Sequence, residues 1–141
     1  MNLGAAGTAL IQGFESCRLT AYQDPRGIWT IGWGHTPASS GQTCTQAQAD
    51  AWLQADVAGA CGVVNRNVDI AMTQNQFDAL VSFTYNVGGG AFVGSTLLRL
   101  VNQHCLSAAA DEFLRWDHID GQTSAGLARR RAAERALFLA A

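Results

Sequence analysis

The sequence contains no lysine. All nine basic residues are arginine, set against eleven acidic ones, for a net charge of −2. Such a chain carries no global field to attract nucleic acid or anionic lipid, so neither is expected as a partner. Long apolar runs are also missing. The stretch Ala136 to Ala141 is among the longest, far short of the ~20 residues a membrane span needs. Met1 to Leu10 has no basic region and no signal-peptide core, so no membrane span and no export signal are expected in this chain. The three histidines, at 35, 104 and 118, fall into no HExxH-like spacing, and the four cysteines form no CxxC pair. No metal site and no cofactor are expected. Charged residues make up only 14% of the chain and hydrophobic ones 48%, which excludes disorder.

What is present is a chain of 141 residues, about the modal size of one domain and long enough for a proper core. Cys17, Cys44, Cys61 and Cys105 allow three pairings into two disulfides, or four free thiols; their spacing does not choose. Arg129, Arg130 and Arg131 are consecutive. They read as a solvated helix face, or as a helix that turns at least one arginine into a site.

Apolar periodicity predicts a helix over residues 3 to 15, with Leu3, Gly7, Leu10 and Phe14 on one face and Ile11 beside it. Residues 19 to 35 change character: Tyr22, Ile28, Trp29, Thr30, Ile31 and Trp33 are β-formers. Between them Asp24-Pro25-Arg26-Gly27 has a type I turn signature, so a β-hairpin turning near Pro25 is expected. Thr45-Gln46-Ala47-Gln48 and Thr73-Gln74-Asn75-Gln76 are capping boxes that should each start a helix. The first helix would bury Ala49, Leu53, Val57, Ala60 and Val64. The second would bury Phe77, Leu80, Val81 and Thr84 and stop at Gly88-Gly89-Gly90. Helical patterns follow at about 95–103, 107–116 and 126–139. The fold class is α+β, one small sheet near the N-terminus followed by many helices.

Three polar residues bracket the hairpin: Glu15 at a helix end, Asp24 in the turn and Thr30 on the return strand. Glycoside hydrolysis needs two carboxyl groups in different states. One gives a proton to the leaving oxygen; the other stays ionised, to position water or stabilise the cationic transition state. A helix C-terminus and apolar neighbours such as Phe14 disfavour a charge on Glu15, which suits it to the acid role; turn N–H groups can solvate an ionised Asp24. A hydroxyl at Thr30 can hold the attacking water. By spacing alone the triplet is weak, and Glu15 as a surface residue with Asp24 as a turn former is the better reading.

The surrounding sequence is far more specific. Gly13-Phe14-Glu15-Ser16-Cys17-Arg18-Leu19-Thr20-Ala21-Tyr22-Gln23-Asp24, followed by Gly27-Ile28-Trp29-Thr30-Ile31-Gly32-Trp33-Gly34-His35-Thr36, resembles the phage-type lysozymes, the endolysins of glycoside hydrolase family 24. Thr73-Gln74-Asn75-Gln76-Phe77-Asp78-Ala79-Leu80, Tyr85-Asn86-Val87-Gly88, Ser95-Thr96-Leu97-Leu98, and Gly126-Leu127 with Arg130, Arg131 and Glu134 continue the likeness. It implies a single lysozyme-like α+β domain over 1–141. A sheet-containing lobe at about 15–60 and a helical lobe at about 61–141, the latter joined by the N-terminal helix 3–15, would flank a cleft and be linked by a long helix. It implies a muramidase that cuts bacterial peptidoglycan between N-acetylmuramic acid and N-acetylglucosamine for phage-type host lysis, by inversion, with Glu15 as acid and Asp24 and Thr30 positioning water. A lytic transglycosylase and a non-catalytic wall-binding module are the alternatives. Thr36, Tyr85, Ser95, Thr96 and Trp33 are the implied substrate contacts. Arg130 is the implied partner of Glu15, and His35 with Asp56 an implied structural pair. A Cys17–Cys44 disulfide is favoured, because Cys17 follows the catalytic helix and Cys44 precedes the next capping box. A monomer is expected, made in the host cytoplasm and acting on peptidoglycan in the periplasm or wall.

Overall fold

The computed structural model describes residues 1–141, and its elements follow the local signals closely. Helix α1 spans Ala5–Phe14, strands β1 and β2 span Arg18–Gln23 and Trp29–Gly32, and the long helix α2 spans Gln46–Asn67. Then come α3 (Gln74–Val87), α4 (Gly89–Val93), α5 (Thr96–Asn102), α6 (Leu106–Glu112) and a 3₁₀ turn at Phe113–Arg115. A second hairpin follows, β3 (His118–Ile119) and β4 (Gln122–Thr123), and the chain closes with α7 (Ala125–Leu139). No helix is long and apolar enough to cross a membrane.

The chain divides into two units, Ile11–Ala58 and the remainder, Met1–Leu10 with Gly59–Ala141. The boundary on the N-terminal side falls inside α1, between Leu10 and Ile11.

In the sheet-bearing unit β1 and β2 pair antiparallel, with Tyr22 opposite Thr30 and Gln23 opposite Trp29. The turn is closed by Gly27 N–H to Asp24 O at 2.8 Å, and Gly27 takes φ +80°. A third segment adds to the open edge: Thr20 bridges Thr43, and Ala21 and Cys44 donate across to Gln42 and Leu19. Ile11, Ile31, Ala49, Leu53 and Val57 are buried at 2% exposure or less. Gly32 sits so close to α2 that a Cβ there would lie 3.2 Å from Ala49 Cβ.

The helical unit is built on α3, whose Phe77–Thr84 run is buried throughout. Phe77, Leu80, Phe83, Phe92, Phe113 and Phe138 anchor its core, and each such side chain stabilises the fold by roughly 1.5–3 kcal/mol. Both predicted capping boxes form. Thr45 Oγ1 accepts Gln48 N–H at 3.1 Å while Gln48 Oε1 accepts Thr45 N–H at 2.9 Å. Thr73 and Gln76 do the same at 3.1 and 2.9 Å.

Two features differ from the sequence expectation. The glycine run stops α3 at Gly88 (φ +99°), but Gly89 and Gly90 open the short helix α4, held down by the fully buried Phe92. The expected helix at 107–116 is broken into α6 and the 3₁₀ turn.

Candidate active site

Glu15 is the first residue past α1, its N–H still bonded to Ile11 O at 2.9 Å. Its carboxyl lies over the Gly32–Gly34 turn: a Cβ built on Gly34 would meet Glu15 Oε2 at 3.5 Å. That turn is closed by paired backbone bonds between Ile31 and His35, at 3.0 and 2.8 Å. Gly34 takes φ +98°, a conformation that side chains with a Cβ rarely adopt. The glycine therefore fixes the backbone against which the Glu15 carboxyl rests.

Asp24 follows β1 directly and turns its carboxylate back on its own loop. Oδ1 accepts the N–H of Ile28 and of Arg26, each at 2.9 Å, and the exposed Arg26 guanidinium reaches Oδ2 at 3.1 Å. The Ile28 N–H above all, with the Arg26 contacts, holds the carboxyl below the usual range in spite of partial desolvation. Thr30 sits on β2 at 4% exposure. Its hydroxyl donates to Ile28 O at 3.0 Å, which orients the oxygen lone pairs away from that carbonyl. Side chains alternate along paired strands. Tyr22, its partner Thr30 and Asp24, two residues on, therefore share one face of the hairpin.

The neighbouring residues fix this segment in place. Trp33 donates its indole N–H to Asp50 Oδ1 at 2.8 Å. That bond, followed by one from Gln46, lowers the Asp50 pKa. His35 Nδ1 lies 2.9 Å from Asp56 Oδ2, and its ring stacks on Trp52 at 4.7 Å. Trp52 is thus half-exposed and paired with a histidine rather than lost in a core. Thr36 is exposed.

In the helical unit, Tyr85 and Thr96 are half-buried and exposed respectively. Ser95 is the N-cap of α5: its hydroxyl accepts Leu98 N–H at 3.0 Å and donates to Phe92 O at 2.6 Å. Of the two neighbours expected to meet substrate, only Thr96 keeps its hydroxyl outside the helix cap.

The arginine run is not a solvated face. Arg129 is exposed, but Arg130 and Arg131 are 3% and 0% exposed. Arg130 donates to Glu134 Oε1 at 3.2 Å and to Ser82 O at 3.3 Å. Ser82 donates to the same carboxylate oxygen at 2.8 Å. Arg131 lies 3.2 Å from Glu134 Oε2 and donates to Asn86 Oδ1. Burial pushes the Glu134 carboxyl up, against the pull of Arg131, Ser82 and Arg130. Beside this network a groove of about 460 Å³ opens along Asn86, Val87, Trp116, Ile119 and Leu127. The sequence shows Asn86 within a motif but gives it no role, and Trp116, which packs against the core, also lines this groove.

The favoured Cys17–Cys44 disulfide is not formed; all four cysteines are free thiols. The strand register explains this. Cys44 pairs by its backbone with Leu19, so Cys17 is two residues out of register and its Sγ instead meets Gln46 Nε2 at 3.6 Å. Burial, and the nearby Cys17, push the Cys44 thiol up.

Comparison with known proteins covers nearly the whole chain. A phage lysozyme family profile matches residues 12–134. The endolysin of Acyrthosiphon pisum secondary endosymbiont phage 1 is 41% identical over 143 residues, covering 98% of each chain. Among solved structures, the muramidase domain of SpmX from Asticaccaulis excentricus superposes with a TM-score of 0.92 at 44% identity, covering 99% of both chains. The endolysin from Escherichia coli O157:H7 phage FAHEc1 gives 0.93 at 37%, covering 99% of this chain and 94% of that one.

Proposed function

The chain belongs to the phage lysozyme family, and on that premise we propose how its residues divide the work of a muramidase. The enzyme is a glycoside hydrolase that lyses peptidoglycan. Glu15 acts as general acid, giving its proton to the bridging oxygen as the bond from the N-acetylmuramic acid C1 breaks. That oxygen leaves as the hydroxyl of N-acetylglucosamine. A water donates one hydrogen to Thr30 Oγ1, whose own proton is committed to Ile28 O, and the other to the Asp24 carboxylate. Its free lone pair then attacks C1, and Asp24 takes the proton released.

The observation that supports this reading most is the way Asp24 is held. Two backbone N–H groups and an arginine keep it ionised, which suits a carboxylate required as a base and as a partner for a cationic transition state. In the sheet-bearing unit Thr36 and Trp33 are the proposed contacts to the glycan, and in the helical unit Tyr85 and Thr96. We place synthesis in the host cytoplasm, action on peptidoglycan in the periplasm or wall, and a monomer in solution.

Mass spectrometry of digested peptidoglycan tests the chemistry. Hydrolysis leaves reducing muramic acid ends and incorporates ¹⁸O from labelled water at C1. Anhydro sugars without label would instead identify a transglycosylase, and intact strands a binding module.

A further inference from the structure

Asn86 and Arg131 form a pair that the reaction above does not use. Arginine carries five N–H donors and no acceptor, so Asn86 must present its oxygen to Arg131, as it does. The carboxamide nitrogen is thereby turned the other way. It makes no hydrogen bond within the protein, and Asn86 lines the groove beside Trp116.

Arg131 has little freedom to move. It is fully buried, its guanidinium lies 5.0 Å above the Phe83 ring, and Glu134 Oε2 stands 3.2 Å away, itself in a carboxylate held by Ser82 and Arg130. Arg131 Nε and Nη1 have no hydrogen-bond partner, the Glu134 contact being off the bonding direction. A buried ion pair of this quality contributes little to stability, since an apolar pair of equal volume often serves as well. What it supplies is a fixed orientation for Asn86.

We propose that Arg131 is a positioning residue that locks the Asn86 carboxamide so that its NH₂ donates, in the Trp116 groove, to an amide oxygen of the peptidoglycan substrate. The groove suits such a group. Val87, Ile119 and Leu127 give it apolar walls, Trp116 supplies a flat ring, and the largely exposed Arg115 lies on its lining. Together they fit a short acyl or alkyl group next to a carbonyl oxygen. Two parts of peptidoglycan have that chemistry, the N-acetyl groups of the sugars and the amides of the stem peptide. The inference rests on peptidoglycan being the substrate.

Asn86→Asp separates positioning from packing. The aspartate keeps an oxygen for Arg131 and gains a charge, but loses the donor. It is expected to melt at or above the parent temperature, with KM for purified peptidoglycan raised roughly tenfold, the worth of one hydrogen bond, and kcat nearly retained. Arg131→Met should raise KM similarly, and combining the two should add little. If Arg131→Met does not fold, Asn86→Asp still decides. In a second arm, glycan strands are stripped of peptides by an amidase. A KM effect that survives assigns the acceptor to the N-acetyl group, and one that vanishes assigns it to the stem amide. The side-chain NH₂ signals of Asn86, followed by NMR during titration with a disaccharide-peptide, should shift whether or not the chain is active. A folded Asn86→Asp variant with unchanged KM, or NH₂ signals that do not move, overturns the proposal; failure of the parent chain to cut peptidoglycan, with those signals shifting, would count against the muramidase reading alone.

Discussion

Asp78 and Gly7 meet where α3 supports the start of α1: Asp78 Oδ2 accepts the Gly7 N–H at 3.0 Å, and Oδ1 accepts that of Gly4 at 2.8 Å. A carboxylate 71 residues further along the chain thus caps a helix that has no capping side chain of its own. A Cβ on Gly7 would come within 2.8 Å of the Asp78 side chain and 2.5 Å of Leu3 Cδ1. Gly7→Ala should therefore lower the melting temperature, although alanine is the better helix former by about 1 kcal/mol. Asp78→Ala, which strips both caps, should cost about 1–3 kcal/mol, or roughly 3–12 °C by calorimetry. A stabilised Gly7→Ala would mean that the contact relaxes.

Active-site variants should fall in a definite order. Glu15→Gln keeps the shape and removes the transferable proton, so lysis should drop by at least about 10⁴-fold, the upper end for general acid catalysis. Asp24→Asn should be severe, and Asp24→Cys should keep measurable activity because a thiolate can still accept a proton. Thr30→Ala should lower kcat more than it raises KM. Circular dichroism should show all four folded. A folded, active Glu15→Gln would dismiss Glu15 as the acid.

Asp24 should titrate low. Its folded pKa lies below the unfolded value of about 4. Its contribution to stability is then fully present above about pH 4 and is lost as the pH falls through the lower folded value. The Ile28 N–H is the largest cause, so Arg26→Ala should raise the midpoint only slightly. Carboxyl ¹³C NMR of Asp24 reads this directly, and a midpoint at or above 4 would contradict it.

Alkylation should find four thiols in the unfolded chain and a graded order in the folded one. Cys105 is exposed and should react first at neutral pH. Cys61, whose thiol burial pushes up, should lag, as should Cys44. Fewer than four thiols under denaturation would restore the disulfide.

Local signals in the sequence carried most of the fold. The capping boxes at Thr45 and Thr73, the Asp24 turn and the periodicity of α2 each specify a conformation within a few residues, and each appears as read. The second hairpin was equally local but was passed over. Asp120-Gly121 joins two residue pairs with φ of +50° and +79°, the pattern of a two-residue turn. The fate of the arginine run was not local. Whether Arg130 and Arg131 are buried depends on Ser82 and Asn86 from α3, nearly 50 residues away, and no pattern within α7 encodes those partners. The same limit applies to the candidate site. Glu15, Asp24 and Thr30 stand out by motif, whereas Asn86 acquires its meaning only from Arg131.

Phe83 joins the aromatic core to the groove. Its ring meets Phe92, Phe113 and Trp116 at 6.3, 5.4 and 5.4 Å and carries the Arg131 guanidinium on its face. A substitution there therefore answers to two demands, that the chain folds and that Trp116 still lines the groove while Arg131 still holds Asn86. Ile119, 56% exposed on its short hairpin, lines the same groove outside that core, so a change there reaches the groove without disturbing the packing around Phe83.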